Sequence, residues 1–366
     1  MSDRCTFALK GIVKTLSPLS QTPYNPRGRG AGEVGHIQHL ARLAVHTPQS
    51  APKDDAGTTR GLITQVPIFS SNALRGKLRR EAAYDIFDRF MLEGVKIPLA
   101  VAGWMRAGAG RNAKDTLPNW MTPARLQREV MEEGNIHTGL FGAGMQCPSA
   151  FKVDDLLPCV QELNDAGMLH DLPPMPELPR AYEVVAARAW VRVNDLNRVG
   201  DQANEIYLDA KEVEQAIKDA EEMRQKRTED RKAKKKAKEE GTEYEAEEEL
   251  AAAAGQLGAV EYIVPNMAMA FRSHFDNVSP AQVGLFVAAL RRFADHPYLG
   301  AHRRWGFGHV SMRLNDDQGR MVAIGTDGFV QQGFDEELAA YEEWRSGIEL
   351  KRLYTLGYLN SLKEAA

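Results

Sequence analysis

Pro67-Ile-Phe-Ser-Ser-Asn-Ala-Leu-Arg-Gly-Lys-Leu-Arg-Arg80 is the stretch on which the reading of this chain turns. The apolar run Val66 to Phe69 predicts an extended segment. It stops at Ser70-Ser71-Asn72, whose short polar side chains suit a helix N-terminus. Apolar residues then recur at helical spacing, at Leu74, Leu78, Ala82 and Ile86, joined by Phe87, Phe90 and Met91. A strand feeding directly into an amphipathic helix is therefore expected. The first turn of such a helix offers free backbone N–H groups and the positive end of the dipole, which together can seat an anion. Four cations, Arg75, Lys77, Arg79 and Arg80, follow within two turns. A solvated basic face accounts for them as well as phosphate binding does. Gly76 tilts the reading, because glycine inside a helix is unfavourable by about 1 kcal/mol relative to alanine, which points to close approach of a ligand backbone.

A chain of 366 residues with 43% hydrophobic residues can bury a large core, as one elaborated domain or two smaller ones. No apolar run approaches the roughly 20 residues of a spanning helix, and Met1-Ser-Asp-Arg-Cys5 lacks the apolar stretch of a signal peptide. Cys5, Cys147 and Cys159 are widely spaced and form no Cys-x-x-Cys pattern, which fits a reducing cytoplasm and argues against a cysteine zinc site. The net charge of −4 conceals a segregation: residues 205–250 hold 16 acidic and 11 basic side chains, whereas residues 1–152 hold 20 basic and 12 acidic ones. A basic N-terminal part beside an acidic insertion is the distribution expected when one face meets a polyanion.

Residues 5–16 alternate imperfectly between apolar and polar and predict a core strand. From Ser17 to Arg60, Pro, Gly, His and Arg accumulate over a length too great for a simple connection. Arg27 and Arg29, set between glycines, can reach phosphates from a pliable backbone, or belong to a plain surface loop. His36, His39 and His46 have no carboxylate or cysteine at ligand spacing, so no metal is predicted. Asp54-Asp55 reads first as a turn and second as a cation site for phosphodiester cleavage. Residues 95–137 carry short helical patterns, including 123–133. Thr138 to Gly144 reads as a small-residue turn around Leu140-Phe141, without the Lys-Ser/Thr of a nucleotide P-loop. Residues 182–193 and 259–265 predict strands, the second running on through 267–275. Between them, 205–254 reads as a charged helical excursion with too few apolar positions to join a core. A helix follows from Ser279, with Pro280 at its first position and Val283, Phe286, Val287, Leu290 and Phe293 on its apolar face.

Gly300-Ala-His-Arg-Arg-Trp-Gly-Phe-Gly-His-Val310 is dense in side chains that bind nucleic acid. Arg303 and Arg304 suit phosphate or stacking, Trp305 and Phe307 offer π-faces, and Gly306 and Gly308 bring backbone N–H groups close to a ligand. The two aromatics plugging the core beneath a tight turn is the competing reading.

Taken in order, these motifs resemble the RAMP superfamily of CRISPR-associated proteins, and within it the repeating backbone subunit that coats guide RNA in multisubunit effector complexes. Thr15-Leu-Ser-Pro-Leu-Ser20 resembles the end of the family's first strand and its turn. Ile68 to Gly76 resembles its Pro-Gly-Ser-Ser-Leu-Arg-Gly segment, and Leu140-Phe141-Gly142 its Leu-Phe-Gly turn. Val193-Asn-Asp-Leu-Asn-Arg198, with Tyr262-Ile-Val-Pro265 and Phe271, resembles the two arms of its thumb. Trp305-Gly-Phe-Gly-His-Val310 resembles its glycine-rich loop. The Ser-Pro-Leu-Ser-Gln-Thr start and the charged insertion are most similar to the type IV subunit.

The resemblance implies an α+β fold: a ferredoxin-like (RNA-recognition-motif-like) palm with inserted helical fingers and an extended thumb. One elaborated palm domain would span 1–366, with an inserted loop at 18–66, a helical fingers insertion at 95–181, and a thumb at 194–262 carrying the charged insertion. It also implies a mechanism for antiviral or anti-plasmid defence. Copies of the subunit would form a helical filament along the guide RNA (crRNA), gripping its backbone without reading sequence, while guide bases pair with target nucleic acid. Other CRISPR effector subunits would be partners, with no membrane, cofactor or metal involved. The RNA contacts implied are Ser70, Ser71, Asn72, Arg75, Lys77 and Arg79 at the helix start. The second loop would add His302, Arg303, Arg304, Trp305, Gly306, Phe307, Gly308 and His309, with Lys14, Gln21, Arg27 and Arg29 as outlying contacts. No catalytic residue is expected: the loop Thr59 to Pro67 lacks the aspartate with which some type III relatives cut target RNA. The alternative is a RAMP-family endoribonuclease that processes guide precursor with His36, His39 or His302 as acid or base. A nucleotide-cofactor enzyme is disfavoured, since no strand-to-helix Gly-x-Gly-x-x-Gly or P-loop is present.

Overall fold

The computed structural model describes residues 4–21, 37–47, 62–108, 135–142, 148–175, 177–191, 222, 229 and 257–353. Twelve strands occur among them: β1 (Cys5–Thr15), β2 (Ile37–Gln38), β3 (Ala41–Thr47), β4 (Leu62–Ile68), β5 (Phe151–Val153), β6 (Leu157–Pro158), β7 (Val185–Val191), β8 (Leu257–Ile263), β9 (Ala268–Val278), β10 (Val310–Asn315), β11 (Met321–Gly325) and β12 (Gly328–Gln332). The helices are α1 (Ser71–Leu92), α2 (Leu99–Ala107), α3 (Ile136–Phe141), α4 (Gln161–Asp165), α5 (Pro280–Asp295), α6 (Asp335–Gly347) and α7 (Leu350–Leu353), with a 3-10 turn at Arg303–Trp305. Contacts divide the chain into two units, one of residues 1–23, 40–186 and 262–366, the other of 24–39 and 187–261.

The first unit is built on a sheet in the order β12-β11-β10-β1-β9-β5, with β6 also paired to β9. Its middle carries the fold. Strands β10, β1, β9 and β5 are neighbours, each antiparallel to the next. In chain order they appear as β1, α1, β5, β9, α5 and β10. Strands β1 and β5, linked through α1, thus run the same way with β9 between them, which is the split βαβ of a ferredoxin-like fold. The remaining strands β11 and β12 extend the sheet as a meander beyond β10.

Strand register sorts the side chains. Val13 lies opposite Met269 and Met312, and Leu9 opposite Ser273. These residues are buried, and the helices cover them. Phe275 stacks on Phe7 at 4.5 Å and meets Phe286 of α5 edge-on at 4.8 Å, while Phe151 bridges Phe286 and Phe141. Aromatic pairs of this geometry add to the area they bury. Helix α5 begins as its sequence predicts, since Ser279 and Gln282 form a reciprocal capping box and Pro280 takes the first position. Helix α1 begins at Ser71 with Ser70 as N-cap, and its buried residues include Leu74, Leu78, Ala82, Ile86, Phe87 and Phe90.

Three expectations change. Thr138 to Gly144 was expected to be a turn, but Ile136–Phe141 is helical: the Asn135 side chain accepts from the Thr138 N–H at 3.1 Å and caps it, and Gly142 at φ +72° ends it. Every residue of that helix is buried. The 95–181 insertion is not helical throughout, because Phe151 and Leu157 are buried on β5 and β6, which pair with β9. The 18–66 loop likewise contains an antiparallel pair, β3 and β4, in which Val45 and Val66 are buried. In the second unit, His39 Nδ1 lies 3.0 Å from Glu261 Oε1. Arg27, Arg29, His36, Asp54, Asp55, Cys147, the 123–133 pattern and nearly all of 205–254 lie outside the described residues. Among the described residues no helix is long and apolar enough to cross a membrane.

Candidate nucleic-acid interface

At the start of α1 the expected anion seat is filled from within the protein. The Ser71 N–H donates to Asp155 Oδ1 at 2.6 Å, and the Asn72 N–H to Ser70 Oγ at 3.2 Å. The Ala73 and Leu74 N–H groups donate to the Ser70 carbonyl. One residue earlier, the Ser70 N–H donates to Gln21 Oε1 at 2.8 Å. A helix N-terminus needs acceptors for its first N–H groups, and here a carboxylate, an amide and a hydroxyl supply them. Ser70, Ser71 and Gln21 are thereby fixed as parts of the frame.

The cations of α1 part ways. Arg75 extends along the surface and donates to Asn72 Oδ1 at 2.9 Å. Lys77 is only 7% exposed, paired with Glu81, its ammonium 5.3 Å from the centre of the Phe293 ring. Burial lowers its basicity, and the nearby charges of Arg303 and Arg80 lower it further. Arg79 turns inward and donates to the Ala107 and Phe141 carbonyls at the ends of α2 and α3. A guanidinium at two helix C-termini satisfies orphan carbonyls and meets the negative ends of both dipoles. Burial, then Arg75 and Arg80, brings its pKa down to about 10, so it stays charged at neutrality. Arg79→Met is expected to lower stability by about 3 kcal/mol, since bonds from a charged donor contribute roughly 1.5–3 kcal/mol each. Urea unfolding checks this, and a change below about 0.5 kcal/mol would return Arg79 to the surface set. Gly76 is explained by its own helix, because a Cβ there would meet only Arg80 Nη1, at 3.5 Å.

The 300–310 loop divides in the same way. His302 at φ +60° and Gly306 at φ +78° bracket the 3-10 turn and push it outward. Arg303, Arg304 and Gly306 are exposed, and Trp305 is 42% exposed with its ring stacked on His302 at 4.6 Å and 7°. Burial lowers the basicity of His302, so the stack is an uncharged one. Phe307, by contrast, is 2% exposed and meets Tyr262 edge-on at 5.4 Å, so it plugs the core. The Gly308 N–H donates to the Pro18 carbonyl at 2.8 Å, and the His309 N–H to Ser17 Oγ. His309 also stacks on Tyr298 at 5.1 Å. Gly308 and His309 hold the loop to the turn at Ser17 and Pro18.

Lys14 is exposed on the sheet face that points away from Leu9 and Val13. Its neighbours there are Ser311 and Ala268 across the register, with Ile12 one step along the strand opposite Arg313, and Lys10 two steps along beside Arg272 and Asn315. Arg272 is tied to Asp171. Lys10 and Arg313 were not among the expected contacts. Strict alternation along β1 and β10 was the signal that could have found them. Among the described residues no group of three or more His, Cys, Asp and Glu is placed to hold a metal ion.

What the arrangement can do is grip an anion by side chains. The exposed set is Arg303 and Arg304 with Trp305 as an accessible ring, while Arg75 is half-buried beside Asn72. No curated protein is found to match the chain. A chain of a type IV-B CRISPR complex is similar in structure, with 14% sequence identity, 84% of this chain and 90% of that chain covered, and a TM-score of 0.43. The family model of the RAMP superfamily matches residues 28–311, most of the length and nearly all of the first ferredoxin-like unit's strands and helices up to β10, and the chain belongs to that superfamily.

Proposed function

We propose that this chain is a guide-RNA-binding subunit of a CRISPR effector ribonucleoprotein of type IV kind. It would repeat along the guide RNA as a filament with other effector subunits and leave guide bases free to pair with target nucleic acid. The observation that carries the reading is the outward turn at 302–306, which sets two exposed guanidiniums and an exposed indole beside the cations of α1 in a RAMP-superfamily chain. Side-chain cations with a stacking ring bind a nucleic-acid backbone without reading its sequence. Palm, fingers and thumb name the parts of this reading, with 194–262 as the thumb. The subunit binds and does not cut. The processing nuclease is the alternative, and it would cleave repeat RNA without metal.

Co-expression with a repeat–spacer array tests the proposal. RNA should co-purify in a large assembly and survive nuclease in lengths that step by a constant increment. A bare protein with intact array RNA overturns the reading, and an array cut at every repeat replaces it with the nuclease. On the purified protein, the double substitution Arg75→Ala plus Arg304→Ala should reduce the slope of log affinity against log salt by about 1.4, roughly 0.7 for each single-strand phosphate contact. An unchanged slope removes those two from the interface.

A further inference from the structure

A cleft of about 500 Å3 opens among α1, the end of α5 and the residues around the 303–305 turn. Lys77, Glu81 and Arg292 form one part of its lining, and Tyr298, Asp295 and Arg303 another. The charges of the first group are already matched. Lys77 pairs with Glu81, and Arg292 reaches both Glu81 and Asp88. Arg303 differs, since the side chain of this exposed residue takes part in no hydrogen bond or ion pair among the described residues. It lies near enough to Lys77 to lower the basicity of that ammonium, and the lining holds three cations, Lys77, Arg292 and Arg303, against the two carboxylates of Glu81 and Asp295. A guanidinium so placed suits a phosphate, which it can bind through paired N–H groups.

Two further features narrow the ligand. The carboxylates of Glu81 and Asp295 line the same cleft, so a run of phosphates is repelled while a single one is balanced by the free guanidinium of Arg303. Tyr298 is held by its stack on His309 at 5.1 Å and 24°, which fixes an aromatic side chain in the lining at no further ordering cost. A volume near 500 Å3 falls in the range of small-ligand sites. We propose that this cleft binds one nucleoside monophosphate unit, with the phosphate on Arg303 and the base against Tyr298. The unit can be a free nucleotide or the phosphorylated end of a strand.

The inference goes beyond guide binding and does not need it. Titration calorimetry on the purified, nucleic-acid-free protein would use AMP, UMP, inorganic phosphate and uridine as probes. Both nucleotides should bind with dissociation constants below about 1 mM and at least tenfold more tightly than phosphate, with uridine silent. Arg303→Ala should weaken the nucleotides tenfold or more, and Tyr298→Ala should weaken them while leaving phosphate as it was. Competition by a 5′-phosphorylated dinucleotide but not by its 5′-hydroxyl form assigns a strand end as the source, and failure of the phosphorylated form assigns the free nucleotide. No saturation by either nucleotide overturns the site, as does binding that both substitutions leave intact. Both variants remove side chains at the surface or half buried, so the fold is retained and the result stays readable. A protein that coats RNA yet ignores mononucleotides refutes the cleft alone. One that takes mononucleotides yet leaves array RNA bare refutes the guide reading alone.

Discussion

Gly308→Val is expected to lower the stability of the first unit by more than about 4 kcal/mol, enough to leave little folded protein at 37 °C. A Cβ at this position would sit 1.9 Å from the Leu299 carbonyl oxygen, closer than any real contact, and the atom that must give way is backbone. The residue also has φ +90°, where a β-branched side chain is strained by roughly 1–3 kcal/mol on its own account. Neither chain can yield cheaply. Gly308 donates its N–H to Pro18 and accepts the Leu299 N–H on its own carbonyl, both at 2.8 Å. Gly306→Ala is the control: it shares a positive φ, but nothing lies within 4 Å of its Cβ, so the cost should be about 1 kcal/mol. Denaturant midpoints of the two variants decide the matter, and equal losses would show that the close approach is not what requires glycine at 308.

His137 is expected to give the protein an acid-sensitive limb above the range where carboxylates titrate. Its ring is buried within α3, the Nε2 hydrogen donating to the Arg79 carbonyl at 3.0 Å and Nδ1 left without a partner. Burial, with the Arg79 charge adding to it, lowers its pKa from 6.5 to about 3. The folded state therefore holds a neutral imidazole, while an unfolded chain takes up a proton as pH falls below 6.5. Stability is full above that value and declines between 6.5 and 3, at up to about 1.4 kcal/mol per pH unit, for a total of a few kcal/mol. His137→Leu keeps the apolar packing beside Phe141 and removes the titration. Urea midpoints from pH 7 to pH 5 should fall for the unsubstituted protein and stay nearly level for the variant. Parallel declines would mean that His137 is not the group responsible.

Much of the fold could be read directly from residues, because its decisive elements carry local signals. Strand β1, helix α1 with its Ser70 cap, and helix α5 with Ser279, Pro280 and Gln282 each have a cap or an apolar period that no tertiary partner needs to supply. Helix α3 could not be read that way: three glycines in seven residues masked the Asn135 cap, and burial on all sides erased the amphipathic period. Strands β5 and β6 are too short for periodicity to register, and only their pairing to β9 makes them strands. At the candidate interface the sequence names residue types without their directions. Arg75 and Arg79 stand four apart on one helix, yet one meets solvent and the other ties two helix ends, a difference set by α2 and α3. Phe307 and Trp305 alternate along the loop, and the reversal at His302 and Gly306 decides which ring is covered. The carboxylate that fills the start of α1 comes from Asp155, 84 residues away, and no local pattern could reveal it.

The central position of β1 has a consequence for how the protein is made. This strand leaves the ribosome before the rest of its sheet, and its two hydrogen-bonded neighbours are β9 and β10, whose last residues are Val278 and Asn315. No nearer segment can take their place, because the split βαβ reserves both edges of β1 for strands near the other end of the chain. At roughly 5–20 residues per second, an apolar strand with both ladders open waits on the order of tens of seconds. Contacts of such sequence separation also slow folding after release, since loop closure precedes any gain from pairing. Helix α1 can form during that wait, since its Ser70 cap and apolar period are local. The newly made chain is thus most exposed to mispairing with another copy just before β9 is complete, and a holding chaperone or slowed translation upstream of Ala268 would raise the yield of folded protein.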